Sequence, residues 1–218
     1  HPNGGIVMWV KSGNYNKPSG STQNVYYYPG ALVRLFSSNG TMWWMGEPTC
    51  SNGDCNFVQV LDVKPNGDVL IAGYFSNSMS FPNCCSVNSG GRYDGYVAQF
   101  NNSGSFDWSI ALGGTSNDYA YGLRYVGNGS IAVVGAKSGV ISVGLTTLSS
   151  AGTGYVAMAS DAGTWEWAAQ PTGSTTIQRV VATGNGTIQV AGVLSFSNSP
   201  RTFGLDSLDS SDGDDIFL

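Results

Sequence analysis

Apolar residues in this chain come in short alternating or continuous runs, each closed by a cluster of Gly, Asn, Asp or Ser. Such punctuation predicts strands and tight turns, and no stretch sustains apolar positions at helical spacing between caps. The clearest run-turn-run unit occurs three times: FVQVLDVKPNGDVLIAG at 57–73, YGLRYVGNGSIAVVG at 121–135 and IQRVVATGNGTIQVAG at 177–192. Asn-Gly between apolar runs is the preferred two-residue hairpin signal, because both positions must tolerate positive φ. The turns at Asn66-Gly67, Asn128-Gly129 and Asn185-Gly186 recur at nearly even intervals, and Gly73, Gly135 and Gly192 keep the same spacing.

A second hairpin type interleaves with the first. DGYVAQFNNSGSFDWSIALGG at 94–114 matches GYVAMASDAGTWEWAAQ at 154–170 and, more loosely, GALVRLFSSNGTMWWMG at 30–46. With strands A and B in the first hairpin and C and D in the second, one set makes a four-stranded antiparallel sheet of about 60 residues. Trp44, Trp108 and Trp167 recur near the end of each second hairpin. Packing between sheets is the simplest role for them, since burying an indole of ~200 Å² contributes roughly 5 kcal/mol by area; a sugar platform is the alternative.

Composition agrees with this picture. Gly reaches 31 of 218 residues, aromatic residues make up 12% and charged ones 11%, which suits many short strands and excludes a disordered chain. The nine Lys and Arg are scattered singly against 14 acidic residues, so no basic patch predicts nucleic-acid binding. No run approaches the length of a membrane span. The chain opens on His1, from which removal of a leader is expected. Four cysteines and four glycosylation sequons, at Asn39, Asn101, Asn128 and Asn185, predict a secreted or cell-surface protein.

The motifs Asp94-Gly-Tyr-Val-Ala98, Ser103-Gly-Ser-Phe-Asp-Trp-Ser109, Gly113-Gly114 followed by Asp118, and the hairpin ending Val134-Gly135 resemble the beta-propeller repeats of bacterial and archaeal surface proteins. The resemblance is best over residues 57–192. It implies an all-β, propeller-like fold, a role as an extracellular scaffold, and no catalytic residues. It departs from the family in copy number, because propellers usually need at least four blades.

The expected organisation is a single β-repeat domain. A strand and insertion occupy 1–24, a partial repeat 25–56, full repeats 57–114 and 115–170, and a repeat without its last strand 171–218. The tail Asp214-Asp215-Ile216-Phe217-Leu218 aligns with Asp94–Ala98 at the start of strand C. The front, with Ile6, Val7, Met8 and Trp9, reads as an orphan strand D whose Trp9 falls on Trp108. The N-terminal strand is therefore expected to complete the incomplete terminal blade. It does so within one molecule, or head to tail between copies, which satisfies an otherwise exposed edge and propagates into a filament. Assembly is the favoured expectation, with a homo-oligomer as the partner; a fragment of a longer chain is the remaining case.

Candidate chemistry is sparse. A metal site on His1 lacks a second His, and a Ser-His-Asp triad could use only His1. Cys50, Cys55, Cys84 and Cys85 flank the first A–B hairpin, where disulfides are expected with their connectivity open. The acidic run from Asp206 to Asp215 lacks a calcium-hand spacing and reads as a solvated loop. Glu47 and Glu166 each sit beside a repeat Trp, but spacing alone makes no glycosidase pair of them. No enzyme and no cofactor are expected. A glycan-binding propeller, using aromatics such as Tyr26-Tyr27-Tyr28, is the alternative to the structural reading.

Overall fold

The computed structural model describes residues 6–11, 31–36, 42–46, 48–50, 56–183, 186–195, 201–203, 206–208 and 215–217. Among them every regular element is a strand. No helix long and apolar enough to cross a membrane occurs there.

Two complete four-stranded antiparallel sheets stand at the centre. Sheet II is built from β5 (Asn56–Val63), β6 (Val69–Phe75), β9 (Asp94–Phe100) and β10 (Phe106–Leu112), in the spatial order β5-β6-β9-β10. Sheet III repeats it with β11 (Asp118–Gly127), β12 (Ser130–Lys137), β15 (Gly154–Ser160) and β16 (Trp165–Ala169). These are the expected A, B, C and D strands in the expected order. The central pair of each sheet is a continuous apolar run, because both faces are covered. Leu70 and Ala72 face one cluster and Val69 and Ile71 the next, and Ile131 and Val133 alternate with Ala132 and Val134 in the same way.

A three-stranded sheet flanks each side. Sheet I holds β1 (Ile6–Lys11), β2 (Ala31–Phe36) and β3 (Met42–Gly46), while sheet IV holds β17 (Thr175–Ala182), β18 (Ile188–Leu194) and β21 (Asp215–Phe217). Strand β11 packs on β5, β6 and β9, β17 packs on β11, β12 and β15, and β1 and β2 approach β5. The sheets therefore stack in chain order, and no closed ring forms among the described residues.

Bulges carry the repeat into three dimensions. One extra residue interrupts each A strand, at Gln59, Tyr121 and Gln178. Another interrupts each D strand, at Asp107, Glu166 and Trp43. Since β2–β3 shows the C–D bulge, β1 on the far side of β2 stands in the B position. Ile6↔Phe36 through Lys11↔Ala31 form an unbroken ladder.

This corrects the reading of the N-terminal strand as an orphan D, and within the molecule it pairs with β2 and not with the tail, which removes the intramolecular alternative. The match to strand D rests on one Trp, whereas Pro2-Asn3-Gly4-Gly5-Ile6-Val7 parallels Pro65-Asn66-Gly67-Asp68-Val69-Leu70. Asn3-Gly4 extends the Asn-Gly series by one more interval of nearly the same length. The segment that follows β1, 12–30, is close in length to the B–C connections 76–93, 138–153 and 195–214.

Those B–C connections hold the elements that the sequence pattern does not show. Strands β7 (Ser78–Ser80) and β8 (Ser86–Asn88) form a hairpin joined by β4 (Thr49–Cys50). Strands β13 (Ile141–Val143) and β14 (Thr146–Leu148) form the second, and β19 (Arg201–Phe203) and β20 (Asp206–Leu208) the third. Turn chemistry is also less uniform than expected. Asn128 and Gly129 both have positive φ, at 52° and 79°, as a two-residue hairpin requires. Asn66-Gly67 instead sits in a three-residue loop opened by Pro65, with Lys64 and Asp68 closing it.

Candidate functional site

The repeat places its chemistry in the seams between sheets and at the open edges of the stack. Strand β11 is locked to β5 by Asp62, which accepts from the Arg124 guanidinium at 2.9 Å and the Tyr125 N–H at 2.7 Å. At one end of the seam between sheets II and III, the Trp108 indole N–H donates to the carbonyl of Asp161 at 3.0 Å. Its ring lies against Gly163, where a Cβ would come within 2.6 Å of it. Lys64, buried beside them, donates to Gln99 Oε1 at 2.7 Å and pairs with Asp161 and Asp68. Of the recurrent Trp residues, Trp108 thus seals sheet to sheet, whereas Trp167 is 42% exposed.

At the opposite end, two buried carboxylates pin the loops. Asp94 accepts from the N–H groups of Gly90 and Gly91 at 2.9 and 3.2 Å, and Asp118 from those of Gly114 and Ser138 at 2.8 and 3.1 Å. Burial pushes both carboxyls above the ordinary Asp value, while the N–H donors pull the other way. Thr175 takes this place in the next seam, bonding to Gly154 N and Thr153 Oγ1. The small hairpins add a second tie. Gly113 bridges Ser142, and Thr172 N–H donates to Thr202 O at 2.9 Å.

Tyr74, Tyr93, Tyr119 and Tyr121 gather at this same end. Tyr74 meets Tyr119 edge-on at 4.9 Å, Tyr119 and Tyr121 stack at 5.6 Å, and the Arg92 guanidinium lies 5.3 Å over Tyr93. All four rings are half-buried. Nothing in the sequence pattern marks them, because they are contributed by a B strand, a connection and an A strand.

The predicted modification sites divide by position. Asn101 caps the C–D turn of sheet II, its Oδ1 accepting from the Ser103 and Ser105 N–H groups at 3.0 Å each. Asn128 is exposed at the A–B turn of sheet III. Both turns lie at one end of the stack: Asn102 N–H donates to Asp68, and Asp161 N–H donates to Gly129 O. Asn39 and Asn185 lie outside the described residues, in connections of the same two types. Cys84 and Cys85 are exposed with free thiols. Cys50 lies in β4, opposite Met79 of the strand leading to them, while Cys55 lies outside the described residues.

Of the predicted assembly residues, Ile6, Val7, Met8 and Trp9 lie in β1, and Ile216 and Phe217 in β21. They are not brought together within the molecule. The tail does pair as a C strand, with Gly192↔Phe217 and Leu194↔Asp215 matching Gly73↔Tyr96 and Phe75↔Asp94. Asp215, rather than Asp214, therefore stands in the place of Asp94, one position off the expected register. Glu166 is exposed in its bulge. His1, Tyr26, Tyr27, Tyr28, Glu47, Asp209–Asp214 and Leu218 lie outside the described residues. Among the described residues no cluster of three His, Cys, Asp or Glu side chains could hold a metal. No protein-family model matches the sequence, and no curated protein does.

Proposed function

We propose that this chain is an extracellular structural protein, a propeller-like stack of antiparallel sheets that joins further copies head to tail by strand addition. One observation carries the reading: among the described residues the two inner sheets have four strands, whereas sheets I and IV have three. Among the described residues, β21 has no strand on the side where β9 is flanked by β10, and β1 none on the side where β6 is flanked by β5. Open apolar edges are templates for pairing. Strand β1 of one copy, running antiparallel along β21 of the next, gives the continuous order β17-β18-β21-β1-β2-β3. Strand β1 keeps its pairing to β2 while doing so. The contact is heterologous and propagates, which makes a filament rather than a closed pair. Glycans on the turn end, at Asn101 and Asn128, leave the edges clear. A disulfide between Cys50 or Cys55 and the 84–85 pair would staple the β4-β7-β8 sheet in an oxidising compartment.

The test supplies the D strand in cis. Appending residues 101–112 after Leu218 is expected to abolish concentration-dependent assembly, seen by sedimentation and by electron microscopy, while the circular dichroism spectrum is kept. Assembly that persists unchanged in this fusion, or a wild-type chain that stays single at every concentration, sinks the proposal.

The Tyr74–Tyr93–Tyr119–Tyr121 cluster supports a second reading, a glycan-binding face at the end opposite the sequons. Half-buried aromatic faces bind sugars by stacking. A glycan array should then show hits that Tyr119→Ala loses; an array blank for the wild type dismisses this reading.

A further inference from the structure

The four tyrosines between sheets II and III stand at ladder positions that the next seam fills without a ring. Gly95 stands opposite Tyr74 as Gly154 stands opposite Ala136, and Asn117 bridges Tyr93 as Gly173 bridges Gly152. Tyr119 and Tyr121 flank the residue opposite Gly135, as Thr176 and Gln178 flank the residue opposite Gly192. Sheet IV packs on sheet III all the same, with Ala136, Gly152, Thr176 and Gln178 in those places. Stacking therefore does not call for the rings. An aromatic cluster that one seam has and the next lacks marks a place with a task of its own.

The cluster is rich in hydrogen-bond donors. Burial, and after it the neighbouring phenols, push the Tyr74 and Tyr121 hydroxyls above their ordinary pKa. That favours the protonated, donating form, and it shows that the hydroxyls stand close together. Arg92 is exposed, with its guanidinium 5.3 Å over the Tyr93 ring. A guanidinium lying on a ring keeps its N–H groups at the rim, where they can fork onto a carboxylate. The loop that carries Arg92 is held from several sides. Asp94 accepts from the Gly90 and Gly91 N–H groups, Ser89 Oγ donates to Gly91 O at 3.1 Å, and Asp118 N–H donates to Tyr93 O at 2.7 Å. Donors fixed in place beforehand lose little entropy when a ligand arrives.

We propose that Tyr74, Tyr93, Tyr119, Tyr121 and Arg92 bind a carboxylated sugar, a uronic-acid unit of an acidic glycan. The ring faces stack on the pyranose, while the guanidinium and the phenols donate to its carboxylate. This rests on reading the cluster as a glycan-binding face and adds the class of sugar.

Calorimetric titration of the full chain with an oligoglucuronate, and with the oligoglucoside that matches it in linkage and length, tests the assignment. The wild type is expected to bind the acidic oligomer about tenfold more tightly, the size of one charge-assisted hydrogen bond. Arg92→Gln, a change at an exposed side chain that should leave the melting temperature alone, is expected to bring the two affinities together. Tyr119→Ala should lose both. Equal affinities in the wild type, or a preference for the neutral oligomer, leave a glycan face but overturn the acidic sugar. A preference that survives Arg92→Gln, or binding that survives Tyr119→Ala, overturns the assignment too. If neither oligomer binds, the assignment also falls, and the glycan array decides whether the glycan face falls with it.

Discussion

Replacing Lys137 with Met is expected to destabilise the fold by about 3 kcal/mol, a large share of the roughly 5–15 kcal/mol that holds a domain together. Lys137 ends strand β12 and is 1% exposed. Its ammonium donates to the carbonyls of Gly139, at 2.9 Å, and Gly152, at 2.6 Å, and to that of Ser149. One side chain thereby closes both ends of the connection that carries the β13–β14 hairpin. Burial pulls its pKa down and the Asp118 carboxylate pushes it back up. Met keeps an unbranched apolar stem, one atom shorter, but donates nothing, so three carbonyls lose the ammonium and Asp118 loses a nearby positive charge. Removing one member of a buried polar set costs more than the set contributes net. Thermal unfolding followed by circular dichroism should show a fall of about 10 °C for a chain of this size. A fall below about 2 °C would mean that water replaces the ammonium without loss.

Lys137 also shows which features of this molecule a sequence can announce. Its partners are backbone carbonyls, and those of Asp94 and Asp118 are backbone N–H groups, so no motif of paired side chains exists to be found. The strands are legible for the opposite reason. Valine-rich central runs and Asn-Gly turns state both pattern and period, and β5, β6, β9 to β12 and β15 to β18 fall where those runs predict. The hairpins β7–β8, β13–β14 and β19–β20 are not legible, because three-residue strands in polar connections have too few apolar positions to set a period. The place of β1 is easily mistaken although its signal is present. Trp9 draws the alignment toward strand D, while Asn3-Gly4 places the same residues after an A–B turn. A turn constrains register more tightly than a single aromatic residue does. The seam formed by Trp108, Gly163 and Asp161 is half visible. The repeating Trp predicts packing between sheets, but its glycine seat lies in the next repeat and shows only when the sheets are stacked.

Gly135→Ala is expected to cost at least about 3 kcal/mol, close to Lys137→Met in size but by a steric route. Gly135 of β12 faces Tyr155 of β15 across the ladder. The Tyr155 ring folds over it and donates its hydroxyl to the Tyr119 carbonyl on β11 at 2.9 Å. A Cβ built on Gly135 would lie 1.9 Å from that carbonyl oxygen and 2.7 Å from the hydroxyl. The conflict with the oxygen is with backbone, so a rotamer change in Tyr155 does not relieve it; β11 must move away from β12. Burial also pushes the Tyr155 phenol well above its ordinary pKa, which favours the protonated, donating form. Tyr155→Phe separates the two contributions. It removes the hydrogen bond alone and should cost only about 1 kcal/mol, with the ring still covering the glycine. In the ladders Gly73 stands opposite Tyr96 in sheet II and Gly192 opposite Phe217 in sheet IV. At Gly135 the glycine that marks the repeat is therefore a place where a side chain would push neighbouring strands apart. Chemical denaturation of both variants decides the point. Equal losses for Gly135→Ala and Tyr155→Phe would show that the hydrogen bond, and not the space, is what the glycine protects.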